Sequence, residues 1–105
     1  RAARDELADP GGLRHRLAAL TGAEQEETLL RLVRGHLATA LGRTGAGQVP
    51  ADQEIRDLGF DSLTALTARN ALESATGLSL PASVVFDFAT PAGLARHLRK
   101  ELLAG

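Results

Sequence analysis

Between Thr21 and Gly42 the apolar residues Leu29, Leu30, Val33, Leu37 and Leu41 recur at the spacing of one helix face. Thr21 and Glu24 have the form of a capping box, Glu26 and Glu27 suit the positive end of a helix, and Gly42 supplies a stop. A chain committed to this helix must bury its stripe against something, and composition narrows what that is. Apolar residues make up 44% of the chain, yet only three residues are aromatic, all Phe. A core of Leu, Ala and a few Val favours helices over sheets. At 105 residues there is enough chain for one domain with one core. The expectation is an all-α bundle.

Punctuation along the chain supplies the other elements. Residues 1–8 read as a lead-in. Asp9 and Pro10 then form a cap and first turn, followed by Leu13, Leu17 and Leu20 at helical spacing. Residues 1–20 are accordingly either a linker or a short extra helix, ahead of a main domain over 21–105. From Gly42 to Leu58 runs a long connection rich in Gly and broken by Pro50, with Val49, Ile55, Leu58 and Phe60 as its anchors on the core. A second long helix is predicted from about Ser62 to Thr76, stopped by Gly77. A short segment, Pro81 to Phe88, carries Val84, Val85, Phe86 and Phe88. Thr90 and Pro91 open the last helix, with Leu94, Leu98 and Leu102 on its buried face. The predicted architecture is a four-helix bundle: three longer helices, one short one, and a long loop between the first two.

Several function classes are excluded early. Formal net charge is -1 with no basic stripe, which argues against nucleic acid as a partner. There is no Cys, hence no disulfide or thiolate metal site. No apolar stretch approaches the ~20 residues of a membrane helix and no signal peptide is visible, so the expected location is cytoplasmic, away from membrane. The start at Arg1, without Met, suits a piece of a longer protein. Asp52, Glu54, Asp57 and Asp61 lack calcium-loop spacing and read as a solvated acidic patch, one that a basic partner could use in docking; no metal site is expected.

The segment Asp57-Leu58-Gly59-Phe60-Asp61-Ser62-Leu63 is the most informative. A Gly turn at Gly59 sets Asp61 and Ser62 at the mouth of the second long helix. Backbone N–H groups lack partners there, and the helix dipole favours a phosphate by up to ~1 kcal/mol at an exposed position. Ordinary capping by Ser and Asp is the competing reading. At about 100° per residue, Ser62, Leu66, Arg69 and Glu73 fall on one stripe, with Leu63 beside it. Ala65, Ala68, Leu72 and Ala75 lie on another side, where small residues allow close helix approach. Leu63, Leu66, Arg69 and Glu73 therefore form a candidate partner-binding surface whose charges are exposed and cost little to reverse. Leu66 as a core residue is the alternative.

A serine hydrolase would need a base for Ser62 and a group to orient that base. His36 lies at the edge of the first long stripe, while His15 and His97 sit on exposed-looking faces beside Arg residues. None has a motif around it, and the chain is too small for the sheet of the common hydrolase fold.

The blocks Gly59-Phe60-Asp61-Ser62-Leu63-Thr64-Ala65-Leu66, Arg69-Asn70, Thr76-Gly77-Leu78-Ser79-Leu80-Pro81-Ala82, Val85-Phe86-Asp87 and Thr90-Pro91 occur in order. Together they resemble an acyl carrier domain of a modular polyketide synthase, over roughly Leu29 to Leu103. The resemblance implies a four-helix bundle and transfer of 4'-phosphopantetheine from coenzyme A onto Ser62 by a separate phosphopantetheinyl transferase. Substrates would then ride as thioesters on the arm and be presented to ketosynthase, acyltransferase and other synthase domains. The domain itself would be non-catalytic. Asp61 would cap the helix and present the loop, Gly59 would allow the turn, Leu63 would flank the arm, and Val84, Val85 and Phe86 would close the bundle near its root. Thr67-Ala68 departs from the Glu-Leu often found in the family and lowers the acidity of the docking face. A peptidyl carrier domain of a nonribosomal peptide synthetase has the same fold and chemistry, but usually shows Gly-Gly-His-Ser or Gly-Gly-Asp-Ser at the site. An unmodified helical adaptor is the alternative from another class.

Overall fold

Among the described residues of the computed structural model, 10–42 and 49–104, there are five helices and one 3-10 turn, and no strand. The helices are α1 (Pro10–Ala18), α2 (Gly22–Ala40), α3 (Ser62–Thr76), α4 (Val84–Asp87) and α5 (Pro91–Ala104); the 3-10 turn is Ile55–Leu58. The predicted cap Asp9 and residues 43–48 of the long connection lie outside the described residues.

α2 starts where its capping box dictates. The Glu24 N–H donates to Thr21 Oγ1 at 3.2 Å, and the Thr21 N–H donates to Glu24 Oε1 at 3.0 Å. Leu29, Val33, Leu37 and Ala38 are fully buried along its length, while Leu30 and Leu41 sit at the margin of the stripe. α2 packs on α5, whose Leu94, Leu98 and Leu102 are fully buried, and on α3. Each such leucine contributes roughly 1.5–3 kcal/mol of transfer free energy to this core. α5 begins as its Thr-Pro start predicts, with the Gly93 N–H donating to Thr90 Oγ1 at 3.1 Å.

α3 runs from Ser62 to Thr76 and ends at Gly77, whose φ of 75° is left-handed and whose N–H donates to the Glu73 carbonyl at 2.8 Å. Ala65, Ala68 and Leu72 are buried as their spacing predicts. Ala75 is only partly covered, and the polar Thr76 takes a buried place instead. Its hydroxyl donates to the Leu72 carbonyl at 2.7 Å and accepts from the Leu78 N–H at 3.2 Å, so burial leaves it satisfied.

α1 is seated in the same core. Leu13 and Leu17 are buried, and α1 packs on α3 and α5. Its C-terminal carbonyls have no partner within the helix. The buried Gln25 of α2 supplies one: its Nε2 donates to the Leu17 carbonyl at 2.7 Å and to the Leu20 carbonyl at 3.3 Å. Arg99 Nε of α5 donates to Gln25 Oε1 at 2.9 Å, so one amide side chain joins three helices.

The long connection is held at several points. Val49, Ile55 and Leu58 are buried and Phe60 partly so. Arg34 Nε donates to the Val49 carbonyl at 2.5 Å, the Ile55 N–H donates to the Ala89 carbonyl at 2.7 Å, and the Ala92 N–H donates to the Ala51 carbonyl at 3.1 Å.

Two expectations are corrected here. Val84 and Val85 are buried, but Phe86 is 48% exposed and does not close the bundle. At about 100° per residue, three consecutive side chains on one helical turn cannot all face one core. His97 is partly covered rather than exposed, because its ring lies 4.7 Å from that of Phe88.

Candidate functional site

Gly59 follows the 3-10 turn with φ 97° and ψ 22°, a left-handed conformation that Gly adopts without the Cβ penalty. The chain reverses there. Phe60 tucks partly against the core and Asp61 is extended, with φ -97° and ψ -178°. From that position Asp61 Oδ1 accepts the Thr64 N–H at 2.7 Å, and the Asp61 carbonyl accepts the first helical bond, from the Ala65 N–H at 2.9 Å. The Thr64 hydrogen bond holds the Asp61 carboxyl below its ordinary range, so it is ionised at neutral pH at the positive end of α3.

Ser62 is the first residue of α3 and is exposed. Its hydroxyl bonds to no described residue. Capping therefore belongs to Asp61, which removes the competing reading of Ser62 as a cap. A phosphodiester on this oxygen would displace no hydrogen bond to a described residue and would lie at a helix N-terminus, where the dipole favours negative charge. The site fits a phosphate-linked group.

Leu63 and Leu66 flank the serine at 73% and 40% exposure, as the stripe predicts. Arg69 and Glu73 share the stripe but are not free rim charges. Their side chains are only 25% and 26% exposed, and Arg69 Nη2 lies 3.0 Å from Glu73 Oε2. Arg69 Nε donates to the Leu80 carbonyl at 2.9 Å, its Nη1 donates to Asn70 Oδ1 at 2.8 Å, and the Leu80 N–H donates to Glu73 Oε2 at 2.7 Å. The expectation that these charges could be reversed at little cost is thus corrected. The cause lies in Gly77: its left-handed turn sends residues 78–80 back along α3, across the i, i+4 pair. The spacing of Arg69 and Glu73 hinted at an ion pair; nothing local indicated the backbone it would grip.

Phe86, missed as a surface residue, faces a groove with Glu54, Arg56, Asp87, Phe88 and Ala89. Glu54 is paired with Arg56 at 3.3 Å within the predicted acidic patch.

Comparison with known proteins places this geometry. The sequence profile of the family described as "Phosphopantetheine attachment site" matches residues 31–98. The chain is 54% identical over 94 residues to the spectinabilin polyketide synthase system protein NorA' of Streptomyces orinoci, covering 90% of this chain and 3% of that protein. It is 52% identical over 90 residues to the mycoketide-CoA synthase of Mycobacterium tuberculosis, covering 86% of this chain and 2% of that protein. The chain thus spans only a few hundredths of the length of these relatives. Among solved structures, an A1-type ACP domain from module 5 of MLSA1 superposes with a TM-score of 0.76 at 42% identity, covering 82% of this chain and 86% of that one. This chain belongs to the phosphopantetheine attachment family, whose members carry that group covalently, and within it to the acyl carrier domains of polyketide synthases.

Proposed function

We propose that Ser62 is the attachment site of 4'-phosphopantetheine and that the domain carries polyketide intermediates between catalytic domains of a larger synthase. The observation that carries this reading is the exposed Ser62 hydroxyl, without a partner among the described residues, at the start of a helix that Asp61 caps. When attached, the arm supplies a terminal thiol that holds acyl groups as thioesters. The chain's own part is to hold and present. Gly59 turns the backbone so that Ser62 projects outward, and Asp61 secures the first turn of α3. Leu63 and Leu66 offer an apolar surface beside the attachment oxygen. No base is needed in the domain itself, because a phosphopantetheinyl transferase would take the Ser62 proton as Oγ bonds to the phosphorus bearing the pantetheine arm, the pyrophosphate bond of coenzyme A breaks and 3',5'-ADP leaves.

The proposed partners are that transferase and the ketosynthase, acyltransferase and other catalytic domains of the synthase. The proposed location is the cytoplasm; no helix among the described residues is long and apolar enough to cross a membrane. Because α1 shares the core, the carrier unit as we read it begins with α1 rather than at residue 21.

The test is the intact mass of the domain after incubation with coenzyme A and a promiscuous phosphopantetheinyl transferase, followed by peptide mapping. One phosphopantetheinyl group on Ser62 is expected. No mass gain, or an arm on Ser74, Ser79 or Ser83, would overturn the reading and favour the unmodified adaptor.

A further inference from the structure

The four-residue helix α4 is tied down on both sides. Upstream, α3 grips the Leu80 backbone in both directions: Arg69 donates to its carbonyl at 2.9 Å, and Glu73 accepts its N–H at 2.7 Å. The two side chains also brace each other, 3.0 Å apart. Downstream, the Ala89 carbonyl accepts the Ile55 N–H at 2.7 Å, and Ile55 opens the turn that leads through Gly59 to Ser62. Between these tethers α4 packs against both α3 and the 3-10 turn, burying Val84 and Val85 and leaving Phe86 outward. It therefore bridges the middle of α3 and the turn that delivers the attachment serine.

We propose that Arg69 and Glu73 are positioning residues: by holding the Leu80 backbone they set where α4 and Phe86 stand relative to Ser62, and so how tightly an enzyme acting at Ser62 binds the domain. The proposal rests on the reading of Ser62 as the attachment site. A helix of one turn has too few internal hydrogen bonds to hold itself, so its place is set by what anchors its ends. Exposed ion pairs contribute little, but this pair is three-quarters covered and its hydrogen bonds to Leu80 are charge-assisted. The grip also depends on direction. Arg offers only donors and ionised Glu only acceptors, so exchanging them restores the charges but neither bond to Leu80.

The experiment measures kcat and KM for loading by the promiscuous transferase, with hydrogen exchange at the Leu80, Val84, Val85 and Phe86 amides. Wild type is compared with Glu73→Gln, Glu73→Ala and the exchanged pair Arg69→Glu/Glu73→Arg. Glu73→Gln keeps an oxygen for the Leu80 N–H, so its KM should lie nearer the wild-type value than that of Glu73→Ala. Glu73→Ala and the exchanged pair should raise KM roughly tenfold with kcat little changed, and should exchange faster at these amides. Should Glu73→Ala fail to fold, Arg69→Lys takes its place: it keeps the charge but loses the fork, and should show the same KM rise. Wild-type KM in the exchanged pair, or in both Glu73→Ala and Arg69→Lys, would overturn the proposal. A wild-type domain that takes no arm would instead overturn the Ser62 reading, and this one with it.

Discussion

Asp61 Oδ1 accepts the Thr64 N–H at 2.7 Å, so the residue that caps α3 is the neighbour of the residue that opens it. This division of labour separates fold from modification. Ser62→Ala should change stability by no more than ~0.5 kcal/mol, since the hydroxyl lost is exposed and has no partner among the described residues. It should abolish loading completely. Thermal melting and intact mass on the same protein check both halves.

The Asp61 cap should show itself in acid. Its folded pKa lies below the ordinary 3.8, chiefly through the Thr64 hydrogen bond. The stabilisation is therefore fully present above the unfolded value and is lost as the pH falls below 3.8 through the folded one. Asp61→Ala should melt below wild type at neutral pH, and the gap should close in strong acid. A gap of constant size would remove the ionised cap from the account.

Leu66 and Leu72 lie on the same helix and should respond differently to truncation. Leu72 is fully buried, so Leu72→Ala should cost about 2–5 kcal/mol. Leu66 is 40% exposed, and Leu66→Ala should cost well under that, about 1 kcal/mol or less, while slowing transfer by partner domains. Melting curves together with acyl-transfer rates distinguish core from contact. A large melting drop with normal transfer for Leu66→Ala would remove it from the proposed docking surface.

α1 behaves as part of the domain if its leucines belong to the core. Leu17 is fully buried, and Leu17→Ala should cost about 2–5 kcal/mol in urea unfolding. Gln25→Leu should also destabilise, because the Leu17 and Leu20 carbonyls and Arg99 would lose their common partner. Unchanged unfolding midpoints would return residues 1–20 to the status of a linker.

His36 should give the domain a mild acid sensitivity near neutrality. Partial burial in α2 lowers its pKa from 6.5, so the folded state binds the proton less readily than the unfolded chain. Stability should fall as the pH drops below 6.5 and level off below the folded pKa. In His36→Gln that slope should vanish, as followed by chemical unfolding at a series of pH values.

Much of the fold was legible in the residues. The Thr21–Glu24 box, the Asp61 cap, the left-handed glycines at 42, 59 and 77 and the Thr90-Pro91 start all stand where the sequence expected them. So do the buried leucines of α2 and α5 and the exposed pair beside Ser62. These features are decided within a turn or two of chain, by unpaired amides, permitted φ values and a 3.6-residue period, and such signals are written locally.

The tertiary structure alone decided which polar groups would be enclosed. Arg69 and Glu73 read as rim charges until Leu80 was folded back across them, and Phe86 read as core until Val84 and Val85 had taken the inward directions of a single turn. α1 read as a possible linker until Gln25 reached from α2 to its last carbonyls. In each case the deciding partner lies outside the local pattern, on a neighbouring helix, a returning loop or a crowded turn. Burial is a property of what covers a residue, and no periodicity in the residue's own helix encodes that cover.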